Sequence, residues 1–92
     1  MHYTVARLRD VRMVAVLVEK GCLDGPRADS FIVEIQQRFA LPAMLIARDE
    51  EAIPGMRARA QFDAVPYLFS LLSIEDVEWQ ELGPAPEPDL PF

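Results

Sequence analysis

Ninety-two residues make one domain, and an apolar fraction of 51% is ample for a core without metal or disulfides. The single cysteine, Cys22, excludes an internal disulfide, a Cys-only zinc cluster and a dithiol pair, and the single histidine, His2, leaves a His/Cys metal site short of ligands. Net charge is −6 and lopsided: no Lys or Arg follows Arg59, whereas seven acidic residues from Asp63 to Asp89 do, so nucleic-acid binding is not expected.

That asymmetry reads as a solvated edge with a soluble tail, or as an acidic surface that steers a basic partner. Arg7 and Arg9 near the start are not followed by an apolar stretch with a small-residue cleavage site. The longest apolar run, residues 13–18, is far short of a membrane span. A cytoplasmic protein without membrane contact is expected.

Along the chain, residues 3–8 carry Tyr3, Thr4 and Val5 and suit a short edge strand. Residues 11–19, VRMVAVLVE, form a continuous β-branched run, the pattern of a strand covered on both faces. Such a strand requires helices on each side of the sheet. KGCLDGP at 20–26 is a turn, and Pro26 suits the first turn of a helix that runs to about Ala40. Ala28, Ile32, Ile35 and Phe39 fall on one stripe of it, and Pro42 stops it. AMLIA at 43–47 is a second buried strand, which makes a parallel βαβ unit.

Beyond a charged loop at 48–51, residues 54–61 fit either a short helix or an extended segment. After Val65-Pro66, residues 67–72 (YLFSLL) and 77–82 (VEWQEL) predict a β-hairpin with Val77 and Trp79 toward the core. A helix over residues 67–75 is the competing assignment. Residues 83–92, GPAPEPDLPF, hold four of the eight prolines and read as an extended tail outside the domain spanning 1–82.

This succession resembles the thioredoxin and glutaredoxin superfamily. Cys22 follows a buried strand and precedes a helix, where the family carries its reactive cysteine. Residues 31–39, FIVEIQQRF, resemble the first active-site helix, and Val65-Pro66 resembles the X-Pro that opens the next strand with a cis bond against the cysteine. Gly25 stands where a second cysteine would complete the dithiol, and the family's last helix would fall in the proline-rich tail. The resemblance implies a thioredoxin-like α/β fold; a ferredoxin-like βαββαβ sandwich, with residues 56–61 a strand and 67–75 a helix, is the alternative.

Two functions follow. One is a non-catalytic module that binds a protein through a sheet edge or helix face, with self-association through residues 77–82 as a variant. The other is what the resemblance implies: a monothiol redox protein with Cys22 as nucleophile, Lys20 favouring the thiolate, Val65 and Pro66 positioning the thiol compound, and glutathione as second thiol. Arg48, Arg57 and Arg59 are either a solvated face or an anion site beside Cys22. Asp49, Glu50 and Glu51 read as a solvated loop rather than a cation site. No metal or other cofactor is expected.

Overall fold

A computed structural model describes residues 1–83. In chain order the elements are β1 (His2–Leu8), β2 (Val11–Leu17), α1 (Gly21–Asp24), α2 (Ala28–Phe39), β3 (Ala43–Arg48), β4 (Met56–Arg59), α3 (Val65–Leu72) and β5 (Gln80–Glu81). They build a small α/β domain around one five-stranded mixed sheet, ordered β4-β3-β2-β1-β5.

The sheet is organised by its two central strands. β2 and β3 pair in parallel, Val14 opposite Ala43 through to Leu17 opposite Ile46. Successive side chains alternate between the faces, so a strand covered on both sides must be apolar throughout. Val14, Val16, Ala43, Leu45 and Ala47 enter one core with Ile32 and Ile35 of α2. Met13, Ala15, Met44 and Ile46 enter a second core with Leu68 and Leu71 of α3. The two helices therefore cover opposite faces, in three layers, as the unbroken β-branched run requires.

β1 precedes the parallel unit and joins β2 through a two-residue turn in which Arg9 (φ 49°) and Asp10 (φ 65°) are both left-handed. That backbone matches the twist of a tight hairpin. β1 is not an edge: β5 adds to its outer side, His2 opposite Glu81 and Tyr3 opposite Gln80. β4 closes the other side antiparallel to β3. α2 ends where Ala40 turns left-handed (φ 54°), two residues before Pro42.

The expected hairpin over residues 67–82 is not present. Residues 65–72 form α3, and of 77–82 only Gln80 and Glu81 join the sheet. Six consecutive residues with one serine among apolar side chains carry no period of two, and Leu68 and Leu71 lie three apart on the buried face. Pro66 sits in the first helical turn, where its missing N–H removes no hydrogen bond. Without α3, Met13, Ala15, Met44 and Ile46 would face water. Val77 is half-buried, and Trp79 is exposed rather than in the core.

The expected strand–helix–strand unit is thus present as β2–α2–β3, and the hairpin expected after it is not. From β2 onward the order βαββαβ does occur, but helices on opposite faces differ from a two-layer ferredoxin-like sandwich. The loop expected at residues 20–26 contains the one-turn α1, and residues 56–59 are strand. The tail expectation for 83–92 falls, beyond Gly83, outside the described residues.

Candidate functional site

Two regions carry exposed chemistry. The first lies beyond the carboxyl ends of the parallel strands, the usual ligand position in α/β sheets. Here β2 leads through Lys20 into α1, and β3 ends at Asp49. Arg57 and Arg59 share the α2-facing side of β4 because Met56 and Ala58, alternating with them, face α3. Arg57 makes a two-pronged pair with Asp24 (2.9 and 3.1 Å) and approaches Asp49 at 3.9 Å. Arg59 donates to the Leu23 carbonyl at 2.6 Å and to Asp29 at 3.0 Å.

Asp49 is the hub. Its side chain is only 8% exposed, its Oδ1 accepts from the Glu51 N–H at 3.1 Å, and Lys20 Nζ lies 3.2 Å away. Burial opposes its charge, but the Glu51 N–H, Lys20 and Arg57 together outweigh that and hold the carboxyl below its ordinary value. Asp24 is held low chiefly by the hydrogen bonds from Arg57. Each cation here is matched by a carboxylate, so the group ties α1, the start of α2 and the loop after β3 onto β4. It is a latch. Of the two readings of the arginines, a solvated face or an anion site, the anion site does not form: Arg57 and Arg59 are neutralised, and Arg48 belongs to the opposite face. Among the described residues, no three His, Cys, Asp or Glu side chains gather as a metal site.

Both carboxyls bind protons less readily in the folded chain than in the unfolded one. Their stabilisation is complete above the ordinary value of 3.8 and is lost as pH falls through the lowered folded values. Thermal melts of Asp49→Asn should therefore lie below the wild type at pH 7, with the gap narrowing as pH falls below 3.8. A constant gap across that range would contradict the latch.

Cys22 is exposed in α1, its N–H bonded to the Glu19 carbonyl at 2.9 Å. It stands six residues before α2, so the long helix does not begin at it. It lines an open, mainly apolar groove of about 600 Å³ with Val18, Pro26 and Phe31. Lys20 is drawn to Asp49 instead of standing free to support a thiolate. Val65 and Pro66 open α3 on the other face of the sheet, and the cis X-Pro bond among the described residues is Ile53–Pro54. The fold therefore separates Val65 and Pro66 from Cys22, and the expected positioning of a thiol compound by that pair is corrected.

The second region is one that sequence reasoning missed. α3 buries Leu68 and Leu71 but exposes Val65 (56%), Phe69 (49%) and Leu72 (42%). These are spaced i, i+4 and i+7, one stripe along the outer face of the helix. Ile74 and Trp79 extend the apolar surface beside a groove of about 300 Å³ floored by Leu17, Ile46 and Met56. The spacing was the available signal, hidden by assignment of a strand period. No protein-family model, curated protein or solved structure matches this chain.

Proposed function

We propose that the chain is a non-catalytic interaction module that docks a protein partner through the outer face of α3. The observation that carries this is the Val65–Phe69–Leu72 stripe. An eight-residue helix that already buries one apolar face has no folding reason to present a second one to water, and contiguous exposed apolar patches mark docking surfaces. The kinship to thioredoxin-like folds rests on the β2–α2–β3 unit, and the helix in place of a closing hairpin weighs against it. The redox alternative loses its support with the separation of Pro66 from Cys22. No helix among the described residues is long and apolar enough to cross a membrane, so a bilayer-spanning role for α3 is unsupported.

The test is a double variant, Phe69→Ser with Leu72→Ser. Native protein should brighten the neutral apolar dye Nile red, and the variant should lose most of that signal while melting within a few degrees of wild type. A melt lowered as far as by a core truncation would mean that the fold itself consumes the stripe, and the reading would fall.

A further inference from the structure

From this docking face, on whose reading the inference rests, we infer the partner's chemistry: a basic amphipathic helix, apolar along one side and lined by Lys or Arg at its flanks. The argument begins with the border of the patch. Asp63 stands at the entry to α3, Glu75 borders the groove with Leu72 and Trp79, and Asp76 and Glu78 line the adjoining surface shared by Ile74 and Val77. All four are exposed, and none makes an ion pair within the described residues. Against them the groove has a single cation, Arg48.

The carboxylates near α1 differ. Asp24, Asp29 and Asp49 are consumed by Arg57, Arg59 and Lys20, so the chain satisfies its acids where the fold needs a latch and leaves them unmatched around the apolar stripe. Like charges around an apolar surface disfavour a second copy of the same surface and attract a cationic rim. The stripe itself is made of side chains of one helix, whose backbone groups bond within the helix, so a strand laid along it would find no ladder; the sheet's own edge, β4, lies beside the groove and contributes Met56 to its floor. Helix against helix, with apolar residues at i, i+3/i+4 and i+7 set along Val65, Phe69 and Leu72, is the geometry that fits the stripe.

Trp79 is the chain's one tryptophan and borders the groove, so it reports occupancy directly. Two peptides of about 18 residues, long enough to hold a helix, share a leucine stripe and differ in flanks of Lys or of Glu. Titrated against the full chain at about 20 mM salt, the Lys peptide should shift Trp79 emission with roughly tenfold or greater preference over the Glu peptide, the gap narrowing at about 0.5 M. Reversing the border with Glu75→Lys, Asp76→Lys and Glu78→Lys should invert the preference, and Phe69→Ser should abolish both signals.

Equal binding of the two peptides would overturn the inference about charge while leaving α3 a docking face. Binding of neither would overturn the inference, and the dye experiment reports separately whether the face is free. Sedimentation showing a dimer that Phe69→Ser dissolves would also overturn it, because a second copy would then occupy the stripe.

Discussion

Truncating Leu45 to alanine is expected to destabilise the domain by about 2–5 kcal/mol, among the largest effects of any single methyl-deleting change. Leu45 lies fully buried in β3, opposite Val16 of β2, and belongs to the core sealed by Ile32 and Ile35 of α2. The side chains around it come from a sheet and a helix already packed on each other, so the vacated volume has little freedom to collapse. At the size of this domain the loss corresponds to a fall in Tm on the order of 10 °C or more. Circular dichroism melts check it; a loss below about 1 kcal/mol would show that this face is loosely packed.

Leu68→Asp should be at least as damaging. Leu68 is 3% exposed beneath α3, against a core that includes Met13, Ala15, Met44 and Ile46, with no cation among them. A carboxylate there must be desolvated without a partner or must drag the helix off the sheet, a cost of about 3 kcal/mol or more. Phe69→Asp, one residue along, should leave Tm nearly unchanged because that side chain already meets water. The contrast reads the rotation of α3 about its own axis. Equal melts for the two variants would refute the division of α3 into a buried and an exposed face.

The strand–helix–strand unit was legible because its residues answer to local rules. VRMVAVL is a β-branched run and AMLIAR a short apolar run just after a helix-stopping proline, both suited to strands covered on both faces, and Ala28, Ile32 and Ile35 repeat at the helical period. The acidic carboxyl half and the absence of a dithiol were legible too. The segment 65–72 was not, because YLFSLL is apolar at almost every position and carries neither period strongly. The Val65-Pro66 pair misled for a related reason: proline suits the entry to a strand and the first turn of a helix alike. Asp49 reads as one member of an acidic loop and proves to be a buried hub, since the partners that hold it come from residues 20 and 57, which only folding brings near.

What the amino-acid order determined by itself was therefore the three central elements, the two-sided cover they demand, and the concentration of negative charge after residue 60. Those properties depend on spacing within one segment and on composition. The tertiary structure alone decided that α3 supplies the second layer, that Val65-Pro66 and Cys22 lie on opposite faces, and that one set of carboxylates is neutralised while another is left bare around an apolar stripe. Each of those outcomes is a competition among distant segments for the same sheet face or the same cation, and only contacts across the fold resolve it.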